Sequence, residues 1–399
     1  MNSKHWVNRN ILYYYLTEFL NNLFFLIPVY ISFQNQYLTL TQMGLLASAR
    51  YILMFLMELP TGVFADLWGR KISCAIGGIL DALGLFIIVL YPSSFWIIVG
   101  TLIRAIGESA MSGANTALIY DTLKEGGRED EYVKIAAREG IFTQTGLIIA
   151  TLSGGFLYSV FQTLPFLLTG ISIALSSLVY LNMREPHIDT IKYSWSAYIN
   201  KTKDGLKELF KNTYIKHLSV YFMFVAGISW SWMTYLNLIF INSLGFSEST
   251  QGIILSSIRA FNALIIGFVA VKIFSFTKKQ GAWIHPIIMG LGALLALIPN
   301  PLINILAIVF LMFSSTLRFN LLNKLTNEVF DSRHRATALS ALNLLLGVVY
   351  SVIVAVSGPL AEVAHPKWIF FWTGIVPLPF IIYLVIKMKN NYYLVKNKL

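Results

Sequence analysis

Residues 42–91 read QMGLLASARYILMFLMELPTGVFADLWGRKISCAIGGILDALGLFIIVLY. Two apolar runs, 42–64 and 72–91, flank a short polar joint that ends in Gly69-Arg70-Lys71. A helix needs about 20 mostly apolar residues to cross the hydrocarbon core of a bilayer, and both runs have that length.

Ten further runs of this kind occupy 11–33, 94–120, 140–160, 163–183, 217–242, 250–273, 282–299, 302–323, 337–358 and 368–387. One such run can be the buried helix of a soluble domain. Twelve in succession cannot, because no single core covers them all. A membrane barrel would show alternating segments of about ten residues, and none is seen. The 399 residues are 56% apolar and only 12% charged, against roughly 25% charged in soluble domains. These figures exclude disorder as well. Six His and the lone Cys74 leave no disulfide pair and too few ligands for a Cys-based metal site. The polar MNSKHWVNRN stretch precedes a first run too long for a signal-peptide core, so that run is expected to stay in the membrane.

The formal net charge of +11 raises the question of nucleic acid. With twelve spans, the even-numbered loops and both termini share one side, and 25 of the 30 basic residues lie there. Only Lys367 lies in a loop on the other side. This is the positive-inside pattern, which predicts a cytoplasmic (inner) membrane protein with both termini in the cytoplasm. The expected partners of these loops are anionic lipid headgroups. Charges spread over loops, not gathered on one face, speak against nucleic acid.

The long polar stretch 184–216 separates six runs from six. Across 41–50 and 250–259 five of ten positions are identical at an offset of 209, including Thr41/Thr250, Gln42/Gln251 and Arg50/Arg259. The paired Arg inside both runs is the telling match. The expected organisation is an all-α integral membrane protein of twelve transmembrane helices in two six-helix pseudo-symmetric bundles, 1–183 and 217–399. A cytoplasmic linker, 184–216, joins them. Duplicated halves with a site between them are common among secondary transporters.

The joint itself, Gly62-Val-Phe-Ala-Asp66-Leu-Trp-Gly69-Arg70-Lys71, resembles the signature loop of the major facilitator superfamily, G-x-x-x-D-x-x-G-R-K. Ser112-Gly113-Ala114, Ala117-Leu-Ile-Tyr-Asp121 and Arg335-Ala-Thr-Ala-Leu-Ser340 look like segments of one bacterial branch of that superfamily, most of whose members are called efflux proteins. The resemblance implies that the loop holds the inward side closed. Its gating residues would be Glu58, Gly62, Asp66, Gly69, Arg70, Lys71 and the acid Asp121, which the basic pair can meet. The pattern departs at Leu67, where a basic residue is usual, and the second-half copy has Ser275 near the place of the Asp.

Ionisable groups inside spans are costly and mark function by default. Here they are Glu18, Arg50, Glu58, Asp81, Arg104, Glu108, Arg259 and Arg318. Arg104 and Glu108 share a helix face. Arg104-Ala-Ile-Gly107 resembles the fourth-helix motif of proton-coupled drug exporters. Glu18 and Arg104 both fall near mid-depth by helical rise, and the resemblance implies that their helices line one cavity. Proton coupling requires a carboxyl withdrawn from water with a cation near enough to tune it. Glu18, tuned by Arg104, is the expected carrier, with Glu108 and Asp81 as further candidates. A static pair of Arg104 with Glu18 or Glu108 is the structural alternative. Glu58, beside Pro60, suits the gate, and Arg50 and Arg259 suit matched structural or gating roles.

Aromatic faces suit flat, amphipathic or cationic solutes. The expected substrate-binding residues are Tyr14, Asn21, Asn22 and Phe25 on the first span, and Trp230, Trp232, Tyr235 and Asn237 on the seventh. Arg318 and Asn320, with Asn323 nearby, suit an anion or an acid on the tenth. Trp195–Leu209 reads as an amphipathic helix lying on the inner membrane surface.

Three functions compete. The first is proton-driven efflux of small amphipathic compounds or metabolites, a multidrug-type antiporter, although the fifth span lacks the Pro usual in antiporters of the family. The second is a proton-coupled symporter importing a nutrient or anionic metabolite. The third, a receptor or scaffold, has no use for intramembrane acids. No enzyme constellation stands out, and without a P-loop ATP is not the expected energy source. No cofactor is expected, the scattered His residues predict no metal, and the expected state is a monomer.

Overall fold

The computed structural model describes residues 3–187, 195–276, 281–331 and 335–396. Its α-helices are α1 (Ser3–Asn21), α2 (Tyr30–Gln34), α3 (Leu40–Trp68), α4 (Arg70–Leu90), α5 (Ser94–Met111), α6 (Ala114–Glu125), α7 (Tyr132–Val160), α8 (Leu164–Leu181), α9 (Trp195–Leu209), α10 (Thr213–Ser231), α11 (Asn237–Ser243), α12 (Glu248–Phe276), α13 (Ile284–Leu295), α14 (Pro301–Val329), α15 (Arg335–Val363), α16 (Pro366–Ile375) and α17 (Leu378–Lys396). Among the described residues nine helical stretches are long and apolar enough to cross a membrane. Each of the twelve apolar runs carries helix.

Four runs are broken rather than continuous, the twelfth run at Val376-Pro377 between α16 and α17. The first stops at Asn21 and resumes as a 3-10 turn at Ile27–Val29 leading into α2. Asn22 Nδ2 donates to the Glu18 carbonyl at 2.8 Å, closing α1, and Pro28 has no N–H to continue a ladder. The fourth run breaks at Gly113, whose φ of 72° suits glycine. The seventh contains a π-helical turn at Trp232–Leu236 between α10 and α11. The polar joint of 62–71 is also not a loop. Helix α3 runs through Asp66 to Trp68, and Gly69 alone, at φ 100°, separates it from α4.

The described chain forms two compact units. The first comprises Met1–Leu38, Ala49–Ser194 and Ser247–Arg259; the second comprises Thr39–Ser48, Trp195–Phe246 and Ala260–Leu399.

In the first unit, α4 and α5 approach backbone to backbone. A Cβ on Gly84 would collide with the Gly100 carbonyl oxygen, and one on Gly107 would collide with that of Gly77. Small residues at such crossings let van der Waals packing substitute for the hydrophobic effect, which lipid removes. Helix α8 shows the inverted pattern this implies. Thr169, Ser176 and Ser177 are buried, while Ile171, Leu175 and Leu178 are exposed.

In the second unit, α9 docks on the start of α15, where a Cβ on Gly205 would collide with the Thr337 carbonyl oxygen. Leu209 is fully buried, and Glu208 accepts a hydrogen bond from the Asp331 amide. The linker helix therefore packs against protein on this side. The Ser275 and Lys278-Lys279 positions lie outside the residues whose side chains are described.

Candidate functional site

The buried charges of the first unit form one network. Asp81 on α4, 1% exposed, accepts from Arg104 Nε on α5 at 2.7 Å. Arg104 also reaches Glu108 Oε1 at 3.5 Å, one turn along α5. The other Glu108 oxygen pairs with Arg50 on α3. Two acids and two bases thus neutralise one another across three helices, as buried charges must. This corrects the expected Glu18–Arg104 partnership: Arg104 is engaged by Asp81 and Glu108.

Glu18 belongs to a second cluster. Its Oε1 accepts from Asn115 Nδ2 at the start of α6. Its Oε2 lies 3.4 Å from the Thr143 hydroxyl on α7, which also lies 2.7 Å from Glu139 Oε1. Asn22 Nδ2 approaches the same hydroxyl at 3.4 Å. Two half-buried carboxylates therefore meet at one hydroxyl. Among the described residues no Lys or Arg forms a salt bridge with either. Sequence reading missed Glu139, Asn115 and Thr143. Glu139 abuts the apolar run 140–160 and reads as loop, whereas α7 begins at Tyr132 and carries it two turns inside. The spacing of Glu139 and Thr143, four apart on one helix, was the available signal.

The α3–α4 junction is held by acids from elsewhere. Arg70 pairs with Asp121 on α6 and donates to the Ala117 carbonyl at 2.9 Å. The first-turn amides of Arg70 and Lys71 donate to Glu185 at 2.7 and 2.8 Å. A carboxylate at a helix N-terminus satisfies orphan amides and opposes the helix dipole. Glu185, beyond α8, fills this place. Lys71 Nζ donates to the Met183 carbonyl at 3.2 Å. Glu58 is half-buried within α3, with Pro60 in the same helix, and a Cβ on Gly62 would have nothing within 4 Å.

The expected substrate residues divide. Tyr14 is buried in a cluster with Trp6, Cys74, Leu118 and Tyr180, so it packs and does not line a cavity. Asn21 Nδ2 donates to the Tyr180 hydroxyl at 3.3 Å. The Phe25 carbonyl occupies the space that a Cβ on Gly154 would need, which is how the break after α1 fits against α7.

In the second unit Trp232 is 0% exposed, donates to Thr373 Oγ1 at 2.9 Å and stacks near Phe370. Tyr235 and Asn237 are buried too, with Asn237 Nδ2 3.7 Å from Met312 Sδ. These three hold the π-helical segment in the core, a correction to their expected pocket role. Trp230 is half-buried, with the Arg318 guanidinium 5.2 Å from its ring. Arg318 donates to the Ala226 carbonyl at 2.6 Å. The side chains of Asn320 and Asn323 lie outside the described residues.

The family described as Major Facilitator Superfamily matches residues 11–354 of this chain. The chain belongs to the Major Facilitator Superfamily. It is a multi-pass membrane transporter, not an enzyme, with the twelve-helix fold of that family. An uncharacterized MFS-type transporter of Bacillus subtilis (strain 168), YxaM, is 24% identical over 371 residues, covering 88% of each chain. Multidrug resistance protein 1 of the same organism is 24% identical over 278 residues, covering 67% of this transporter and 68% of that protein. In structure, this transporter is similar to the nucleoside transporter NupG, with TM-score 0.73 and 17% identity over 98% of this chain and 99% of that one. It is similar to a D-xylose-proton symporter with TM-score 0.74 and 14% identity over 96% and 99%. At these identities the structural likeness is one of fold.

Proposed function

We propose that this transporter is a proton-coupled exporter of small amphipathic compounds or metabolites, an antiporter working by alternating access. The observation that carries the reading is the meeting of Glu18 and Glu139 at the Thr143 hydroxyl without a basic partner. Two carboxylates at one hydroxyl hold a single proton, or an incoming cation, better than two negative charges. Glu18 takes up the proton, Thr143 and Glu139 share it, and Asn115 orients the Glu18 carboxyl. Asp81, Arg104 and Glu108 act as a fixed frame in the same unit. Arg70, Lys71, Asp121 and Glu58 gate the inward side around Gly62, Asp66 and Gly69.

Similarity to a protein named for multidrug resistance supports export over import. The two halves, 1–183 and 217–399, rock about the site, joined by 184–216. The chain sits in the cytoplasmic membrane as a monomer with both termini inside. Its basic loops lie against anionic headgroups.

Everted vesicles from a host stripped of its own exporters test this. A panel of amphipathic compounds is added while the pH gradient is followed by fluorescence. At least one compound is expected to dissipate the gradient with the wild type and not with Glu18→Gln, with a weaker response in Glu139→Gln. If no compound does so, while uptake of a metabolite into whole cells requires the protein, import replaces export.

A further inference from the structure

The two halves treat their matched arginines differently. Arg50 is neutralised by Glu108. Arg259, at the same place in the repeat, is 8% exposed, and its Nε, like that of Arg50, is buried without a hydrogen-bond partner among the described residues. Among the described residues no carboxylate forms a salt bridge with it. The sequence says why. The 209-residue offset puts Leu317 where Glu108 stands and Gly290 where Asp81 stands. Beyond residue 217 the only acids are Glu248, Glu328, Asp331 and Glu362, all at or outside the ends of apolar runs. The second copy kept the cation and lost both acids.

Arg259 lies eleven residues into α12, about 17 Å from its start at 1.5 Å per residue, which is mid-depth in a bilayer. One turn further along the same face of α12, Asn262 is 3% exposed, and its Nδ2 and Oδ1 both lack partners. A buried guanidinium with no acid partner among the described residues, beside a buried amide with neither atom bonded, is costly unless something pairs with them. The guanidinium fork matches a carboxylate, phosphate or sulfonate in bidentate fashion. The neighbouring amide offers one donor and one acceptor to a group beside that anion.

We infer that Arg259, assisted by Asn262, binds the anionic head group of the transported solute. The favoured substrates are therefore amphipathic anions. The inference rests on the transport reading only in taking the bound anion for the cargo; it requires neither export nor proton coupling.

The test uses the full chain in nanodiscs of phosphatidylcholine, free of anionic lipid. The probes are octanoate, octanesulfonate and octyl phosphate, against octyltrimethylammonium as the matched cation. At least one anion is expected to raise the unfolding midpoint by about 2 °C or more. That shift should vanish in Arg259→Gln, shrink in Asn262→Ala and survive in Arg259→Lys. The inference is overturned if no anion stabilises more than the cation, or if the shift persists in Arg259→Gln. It is also overturned if phosphatidylglycerol in the nanodisc gives the same Arg259-dependent shift and blocks the probes, because the site then holds lipid. The measurement is made at equilibrium without a proton gradient. A failed vesicle assay and a failed binding assay therefore point to different errors.

Discussion

Asp81 is the most deeply buried acid of the charge network, and Arg104 is its direct partner at 2.7 Å. Removing one member of a buried pair strands the other charge and costs roughly 3–5 kcal/mol, whereas removing both costs less. Arg104→Gln is expected to destabilise the chain by about that much, and Asp81→Asn by less, because Arg104 keeps Glu108. The double variant should recover part of the loss. Unfolding of all three in detergent checks this, and strictly additive losses would contradict the pairing. At this scale the sequence was only partly legible. That intramembrane acids and bases exist could be read directly, since each stands out in an apolar run. Which acid meets which base could not, because Asp81 and Glu18 lie at similar depth and only helix rotation decides which faces Arg104. Glu139 was hidden for another reason: hydropathy starts the helix at the apolar run, whereas α7 begins two turns before Glu139.

Helices in this chain are matched by small residues at their crossings. Gly84 and Gly62 form a controlled pair. A methyl group on Gly84 would collide with the Gly100 carbonyl oxygen, while one on Gly62 meets nothing within 4 Å. Gly84→Ala is expected to force α4 and α5 apart and to cost about 1–3 kcal/mol as an overpacking change. Gly62→Ala is expected to be neutral or slightly stabilising, by at most about 1 kcal/mol, since Ala is the better helix former. Thermal unfolding of the two purified variants, with transport measured alongside, separates them, and equal losses would reject the packing. Glu185 belongs at this scale as well. It caps the first turn of α4 from a segment more than a hundred residues away in sequence. No local pattern announces it, whereas the Arg70–Asp121 pair is legible because both residues sit at the ends of recognisable runs. The breaks in the first, fourth, seventh and twelfth runs were likewise invisible to hydropathy, because broken and unbroken helices bury the same apolar residues.

Across the whole molecule, the distribution of Lys and Arg predicts which loops face inward, and one thiol makes this easy to check. Cys74, the only native cysteine in the sequence, is fully buried. An impermeant maleimide added to intact cells should therefore leave the wild type unlabelled. Lys367→Cys should react from outside. Lys207→Cys, on the largely exposed face of α9, should react only after the membrane is opened; the reverse result would invert the topology. From the sequence alone came the membrane class, the twelve helical runs, the internal repeat and the superfamily. The physical reason is that lipid demands long apolar helices with internally satisfied backbones, so hydropathy reports them directly. Only the tertiary structure decided the pairing of Arg104 with Asp81, the meeting of Glu18 with Glu139, the burial of Trp232 and the lack of an acid partner for Arg259 among the described residues. Those depend on how each helix is turned toward its neighbours, which close packing of side chains settles and hydropathy does not record.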